Sequence, residues 1–546
     1  MIEKIKITNF KKFRGTFELK FNNNINILVG NNEEGKSTIL EAIHLTLTGY
    51  YRGKNIRGEL SQYLFNADVV ANYINSLSTA DPLPPPCIEI EIYFKGSIDA
   101  NFEGNNNSDR SKCEGVKFKI EFNNDYDDAY KKLLDDKKIK SLPIEYYDVH
   151  WETFSRNYNI ITRNIPINSA IIDATNYIMQ NGNDIYANKI IKDYFTEEEK
   201  IHLSQLSREL KEKIADDEVV ANINDKLNEE QILNKNISIA FNLGTKRSWE
   251  ENIIAQLNNI PYANLGKGCQ CIIKTNFALQ NRNVEKSHII LFEEPETHLS
   301  FSNLNQLIES INSKCKDKQI IITTHSSFIA NKLGLNNLIL LSNAKSSYIT
   351  DLDSADYFKK AAGYDTLRLL LCKKVILVEG DSDELIVQKA YIDQYGKTPI
   401  ADGIDIISVG TAFLRFLEIA KILDLEVKVV TDNDGDIDAL CDKYSDFLKE
   451  DSKNNIKICY DKEIHNGNDF KIGGKSYNYN TLEPNIVLAN DNDIELFGKI
   501  FNRKFKNIIE LYKYMYSNKT ESAFRILVYN EKIKFPKYIM DAIIDE

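Results

Sequence analysis

The sequence predicts an α/β protein of more than one domain, and three observations carry that prediction. An apolar run, Ile25–Val29, leads straight into Gly30–Thr38 (GNNEEGKST) and then into Ile39, Leu40, Ile43 and Leu47 at helical spacing. Two further apolar runs, Ile289–Phe292 and Gln319–Ile322, end in polar tips, Glu293-Glu294 and Thr323-Thr324-His325. A later stretch from Lys374 proceeds β-α-β-α-β through Ile404–Val409, Thr411–Leu423 and Val427–Thr431. Short apolar runs of this kind suit buried parallel strands, and open α/β sheets place their sites at the strands' C-terminal ends.

At 546 residues the chain exceeds what one core supports, so two or three domains are expected. A net charge of −12 argues against a polycation that coats DNA over its whole surface, yet leaves room for a local basic track. No apolar run approaches the roughly 18 residues that span a bilayer, so no membrane partner is expected. The opening MIEKIKITNFKKF alternates charge with Ile and lacks a signal-peptide core. Of eight cysteines only Cys269 and Cys271 lie close, and no second pair completes a zinc site. Free thiols in a reducing cytoplasm are the expectation.

In chain order, Met1–Phe10 reads as a strand with Thr16–Phe21 as its partner, and the asparagines at 22–24 supply a turn after them. Ile25–Val29 is the next strand, and its helix runs from about Ser37 to Thr46. The prolines of 81–86 form a stiff linker. Ile88–Phe94 (IEIEIYF) alternates like a half-exposed antiparallel strand, and Gly115–Phe122 repeats the pattern. Residues 173–236 are charged and helix-prone, which predicts a helical insertion with a possible dimerisation surface. Leu265-Gly266-Lys267-Gly268 is a glycine turn ahead of a helix over Gln270–Leu279. After the strand Leu338–Leu341, residues 346–372 read as a connector, and a Lys- and Tyr-rich helical tail begins near Asn485.

The motif at Gly30–Thr38 fits G-x-x-x-x-G-K-[ST] between a strand and a helix, the context that a phosphate-binding loop requires. Gly30, Asn31 and Gly35 let backbone N–H groups face phosphates, Lys36 reaches the β- and γ-phosphates, and Ser37, followed by Thr38, offers its hydroxyl to magnesium. ATP with Mg²⁺ is therefore the expected ligand. An acidic pair at a strand end is by itself more often a turn. Beside a phosphate loop, Glu293 becomes the magnesium-organising acid and Glu294 the base that orients water. His325, at the tip of a third strand, reads as a γ-phosphate sensor.

The stretch Lys374–Glu384 (KVILVEGDSDE) sets Glu379 and Asp383 after one strand, and Asp432 and Asp434 follow Val427–Val430. Two carboxylates about 4 Å apart repel by roughly 4 kcal/mol at an effective dielectric near 20, so converging acids call for a cation between them. All-oxygen donors favour Mg²⁺ or Mn²⁺, and two such ions can activate water and stabilise a leaving oxygen. A calcium loop starting at Asp432 fails, because Ile437 stands where glycine is needed and Lys443 where glutamate is needed.

The order of phosphate loop, glycine turn, EEPE and TTHS resembles the ABC-type ATPase heads of the RecF and SMC kind. By that resemblance, Gly266–Gly268 is the signature loop that meets a partner subunit's nucleotide. Glu379-Gly380 with Asp432-x-Asp434 resembles a Toprim domain, and a head followed by Toprim resembles the OLD family of endonucleases, including Gabija-type and retron-associated antiphage effectors. The resemblance implies an ABC-type head over 1–345, a connector over 346–372 and a Toprim domain with a helical tail over 373–546.

It further implies an ATP-regulated, metal-dependent DNA endonuclease acting in antiphage defence. Glu379 would be metal ligand and acid/base, with Asp383, Asp432, Asp434 and Glu483 completing two metal positions. Lys519, with Lys513 as its rival, would steady the phosphate. Asn485 departs from the family's usual acid. A dimer or tetramer, a helicase or retron partner, and DNA along Lys504, Lys506 and Lys513 belong to the same expectation. The competing reading is an ATP-driven DNA clamp or sensor with an inert Toprim scaffold. Strand passage or primer synthesis would need a nucleophilic tyrosine domain or a zinc module, and the chain has 28 tyrosines but no recognisable partner fold.

Overall fold

The computed structural model describes residues 1–135, 139–158, 160–173, 195–229, 256–280, 287–315, 317–348, 374–423, 425–448, 455–467, 470–472 and 475–544, with a few isolated positions between. It forms two compact units, Met1–Ile27 with Ser37–Thr324, and Leu28–Lys36 with His325–Glu546.

The first unit holds an antiparallel sheet in the order Thr16–Lys20, Ile2–Thr8, Ile88–Phe94 and Cys113–Phe122, with Tyr147–Thr153 pairing the last. Ile88–Phe94 thus has a neighbour on each side, and only Glu89 in it is more than marginally exposed. This corrects the half-exposed expectation. The alternate acid Glu91 is buried because Lys117 pairs with it at 3.0 Å and the Ser108 backbone N–H donates to it at 2.9 Å. A buried charge with such partners is tolerated where a bare one is not. A second sheet sets Ser169–Asp173, Ile289–Glu293 and Gln319–Thr323 in parallel, with Ile25–Gly30 next in order. Its register aligns Asp173, Glu293 and Thr323 at one end. Within the expected insertion, helices run over Glu197–Ala215 and Glu218–Glu229. The first starts on a capping box from Thr196 and Glu199.

In the second unit, Leu338–Ser342 and Lys345–Tyr348 form a hairpin. Most of the expected connector falls outside the described residues. Beyond it, four strands lie parallel in the order Ile404–Ser408, Lys374–Val378, Glu426–Val430 and Ile456–Cys459. The helix Asp381–Tyr395 packs on Lys519–Leu527 and Lys537–Ile543, so the tail closes over the sheet instead of trailing from it. The core joins Ile376, Val378 and Val387 to Val487, Leu511 and Ile539. Lys389 staples this contact: its buried ammonium pairs with Asp393 at 2.8 Å and donates to the Tyr529 carbonyl at 2.6 Å. Among the described residues no helix is long and apolar enough to cross a membrane.

Candidate functional sites: a phosphate loop and an acidic strand edge

The phosphate loop is built at the end of Ile25–Gly30, and the following helix spans Lys36–Thr48. A Cβ on Gly30 would stand 2.5 Å from the Leu341 carbonyl oxygen, so the strand can enter the loop here only as glycine. Glu33 and Gly35 take positive φ values of 68° and 92°, which turn the backbone around the loop. Lys36 is buried, and its ammonium donates to the carbonyls of Gly30 at 2.8 Å and Asn31 at 2.9 Å. Thr38 is buried too.

In the first unit, the Ser37 hydroxyl donates to the Glu293 carboxylate. Burial raises the Glu293 pKa, as do Asp173, Glu41 and Glu294, while the Ser37 bond pulls it down. Glu294 leaves the strand at φ 40°, its N–H donating to the Thr323 carbonyl at 3.0 Å. His325 is half-buried just ahead of Ser326, which caps the helix Ser327–Leu333. The glycine turn differs from its expectation in one respect. The helix begins at Lys267, not Gln270, because Gln270 turns back to cap the turn, its amide donating to the carbonyls of Tyr262 and Leu265. Gly266 is open, whereas a Cβ on Gly268 would meet the His298 carbonyl at 2.6 Å.

The acidic edge depends on strand order. Lys374–Val378 and Glu426–Val430 are direct parallel neighbours, so the residues after them emerge at the same edge. Glu379 follows the first strand, and its carbonyl accepts from the Gly410 N–H at 3.0 Å. Asp383, on the first turn of the helix Asp381–Tyr395, accepts from the Gly380 N–H at 3.0 Å. Asp432 follows the second strand and accepts from the Leu482 N–H at 3.0 Å and the Tyr538 hydroxyl at 3.3 Å. Asp434 sits at φ 49° with Gly435 at 86°, and Asn478 donates to the Asp434 carboxylate at 3.2 Å. Glu483, buried on the helix Leu482–Ala489, meets the Lys519 ammonium at 3.3 Å. Lys504, Lys506, Lys513 and Lys519 are all exposed, and of these Lys519 is the one that pairs with an acid of this edge.

The electrostatics agree with this grouping. Burial first, then Glu379 and Glu483, push the Asp383 pKa up to about 7. Asp432 is driven well above the usual range by burial, then by Asp383, Glu379, Glu483 and Asp434. Glu379 is raised by lost hydration and by Asp434, with Lys443 and Lys519 moderating it. Burial alone would lower Lys519, but Glu483, Asp432 and Asp383 outweigh it and raise its pKa.

One expectation needs correction. Among the described residues no three His, Cys, Asp or Glu side chains are already drawn together tightly enough to hold an ion. The acids share an edge, and Asp383, Asp432, Asp434 and Glu483 are each met by a local donor. The donor set nonetheless fits a hard divalent ion: it is all oxygen, and the Asn485 amide oxygen is buried beside it without a hydrogen-bond partner. Sequence reasoning missed Tyr538, whose hydroxyl is bonded by Asn485 and lies 106 residues from Asp432 in the chain. It also missed Asn433, whose amide donates to the carbonyls of Asp461 and Glu463 and so pins the acidic turn.

Residues 1–330 match the family described as AAA ATPase domain, and residues 370–434 match that described as overcoming lysogenization defect protein-like, TOPRIM domain. Similar curated proteins include the DNA replication and repair protein RecF of Clostridium kluyveri, 29% identical over 160 residues, which are 29% of this chain and 40% of that protein. RecF of Streptococcus uberis is 33% identical over 98 residues, 18% of this chain and 25% of that protein. The chain thus spans less than half the length of the curated relatives it matches. Similar solved structures include an SMC head bound to the C-winged helix domain of ScpA, with a TM-score of 0.32 at 16% identity, covering 63% of this chain and 96% of that one. The SMC head domain from Thermotoga maritima has a TM-score of 0.31 at 12% identity, covering 63% of this chain and 97% of that one. With its first 330 residues matched by one family and the Toprim stretch by the other, the chain belongs to the AAA ATPase domain family and carries the ATPase-head-plus-Toprim arrangement of OLD-family nucleases.

Proposed function

We propose that the protein is a divalent-metal-dependent DNA endonuclease whose cutting is governed by ATP at its head, working as an antiphage effector in a dimer or tetramer. The observation that carries this reading is the adjacency of the two acid-bearing strands, which delivers Glu379, Asp432 and Asp434 to one edge with Asp383, Glu483 and Lys519 around them. Glu379, Asp383, Asp432, Asp434 and Glu483 would hold Mg²⁺ or Mn²⁺. A bound ion there supplies an activated water and charge stabilisation for the departing oxygen. Glu379 would take the proton from the water, and Lys519 would steady the phosphate. In the head, Lys36 would hold the nucleotide's phosphates, with Ser37, Glu293 and Glu294 at its magnesium and water, His325 as sensor, and Gly266 and Gly268 meeting a partner subunit's nucleotide. We place the head at 1–345, the connector at 346–372 and the Toprim domain at 373–546. A helicase or reverse transcriptase encoded next door would fit the defence role.

The test is supercoiled-plasmid cleavage with Mg²⁺ or Mn²⁺, with and without ATP, on the wild type and Glu379→Ala. Absence of cutting by the wild type under every condition overturns the reading. The RecF relatives favour a second reading, an ATP-driven DNA clamp with an inert Toprim scaffold, and that reading expects Glu379→Ala to behave as wild type in every assay.

The pKa shifts give an expectation independent of cleavage. Asp383 titrates near 7 in the fold against an ordinary 3.8, so between those values the folded chain holds a proton that the unfolded chain has released. Its contribution to stability is complete below the lower value and is lost as pH rises through the upper one. Because a bound ion must displace that proton, affinity should climb by about tenfold per pH unit per proton up to neutrality. In thermal melts, Mn²⁺ should therefore raise Tm little near pH 5.5 and clearly near pH 8. Equal shifts at both would show that the acids do not bind it.

Tyr538→Phe keeps the buried ring but removes the donor to Asp432. Losing one such bond costs about 0.5–1.5 kcal/mol and raises the Asp432 pKa further. The pH profile of cleavage should then move to higher pH with a small change in Tm, and an unmoved profile would leave Tyr538 as packing only.

A further inference from the structure

Beside the acids stands a set of aromatic rings that the proposed chemistry does not use. Tyr477 is at its centre: it stacks on Phe470 at 4.6 Å and on Tyr512 at 5.3 Å, and it meets Tyr479 edge-on at 5.1 Å. These inner rings are buried or half-buried. The outermost ring is Tyr516, which is 49% exposed and touches Tyr477 edge to face at 6.3 Å and 67°. A large ring held by its neighbours and left half in water offers a rigid surface at little further entropic cost.

Its position gives it meaning. The Lys519 ammonium lies 5.9 Å from the centre of the Tyr516 ring and 3.3 Å from the Glu483 carboxylate. A phosphate drawn to Lys519 would therefore have an aromatic surface one nucleotide's reach from the acids. Lys513, three residues before Tyr516 on the same helix, is exposed and adds a second cation on that helix surface. Interleaved cations and aromatic rings bind single strands, because stacking needs an unpaired base while the cations follow the backbone. A base inside a duplex has both faces covered and cannot use the ring.

We propose that Tyr516 is a stacking site for an unpaired nucleobase next to the scissile phosphate. The Toprim edge then takes its DNA with the strands locally separated, as at a fork, flap or gap. This rests on the nuclease reading for the phosphate's position but not for the binding event itself.

The test measures binding of the full-length protein to oligonucleotides carrying 2-aminopurine, with Ca²⁺ in place of Mg²⁺. Single-stranded, forked and blunt duplex forms are compared for wild type, Tyr516→Phe, Tyr516→Leu and Tyr516→Ala. Tyr516→Phe should keep affinity and stacking-induced quenching. Tyr516→Leu and Tyr516→Ala should lose about tenfold in affinity for single-stranded and forked DNA, and the quenching with it, with less than twofold change on blunt duplex. Wild-type behaviour of the Leu and Ala variants, equal loss on all three forms, or loss in Tyr516→Phe would each overturn the proposal. Plasmid cleavage run in parallel separates the two claims. Tyr516-dependent quenching without any cutting sinks the nuclease and keeps the site; cutting with Tyr516-independent binding does the reverse.

Discussion

A Glu379→Ala protein is expected to lose metal-dependent DNA cleavage by roughly 10²–10³-fold, the scale on which removing one preorganised transition-state group costs a reaction. Its metal-free fold is expected to stand at least as well as the wild type's. Both halves follow from the same surroundings. The backbone of Glu379 is fixed to the neighbouring strand through the Gly410 N–H, so the side chain leaves the sheet from a rigid point. Asp432 and Asp383 spend oxygens on N–H donors, and Glu483 is paired with Lys519. The Glu379 carboxyl instead loses hydration and faces Asp434, and both raise its pKa. A half-buried acid set against another acid, and only partly offset by Lys443 and Lys519, weakens the metal-free fold and is one that an ion gains by meeting. Replacing it with alanine relieves Asp383 and Asp432, whose pKa values it also raises. Cleavage rates and thermal melts on one preparation check this. A lower Tm accompanying lost activity would mark Glu379 as structural, and unchanged activity would favour the clamp.

The fold and half of this site could be read from the residues because the signals were local. Strand, glycine loop and helix follow one another at Ile25–Thr48, and apolar runs ending in acids declare both Glu379 and Asp432. What was hidden depends on which strands are neighbours and on what the tail covers. Ile88–Phe94 alternates like a surface strand, and the salt bridge from Lys117 to Glu91 with the donors from Ser108 lets its polar face go inside. Tyr538 lies in an ordinary short helix, and nothing near it in sequence indicates that its hydroxyl reaches Asp432. Lys519 and Lys513 look alike on the page. They are distinguished by the packing of Lys519–Leu527 against the helix that carries Asp383. Spacing likewise indicates which carboxylates share an edge but not which donors each accepts from: backbone N–H groups for Asp383 and Asp432, Asn478 for Asp434 and Lys519 for Glu483.

Lys36→Ala is the second large effect, and its consequences should be confined to the nucleotide. The ammonium is buried and held by the carbonyls of Gly30 and Asn31, so the positive charge already lies inside the loop's curve, at the start of a 13-residue helix. A phosphate arriving there exchanges two carbonyl acceptors for stronger anionic ones, and charged hydrogen bonds are worth about 1.5–3 kcal/mol each. Losing one or two of them should weaken ATP binding by about 10²-fold or more, read by titration of labelled ATP. Lys36→Arg should not rescue it, because a planar guanidinium cannot occupy the small space between Gly30 and Asn31. The Mn²⁺-induced rise in Tm expected near pH 8 should persist in Lys36→Ala, since the acids proposed to bind the ion make no use of that ammonium. If ATP binding is unchanged, the loop is an ordinary strand-to-helix turn. If ATP binding and the Mn²⁺ shift disappear together, the substitution has damaged the fold. Only loss of the first with retention of the second supports a nucleotide site in the head whose chemistry is separate from the acids it is proposed to govern.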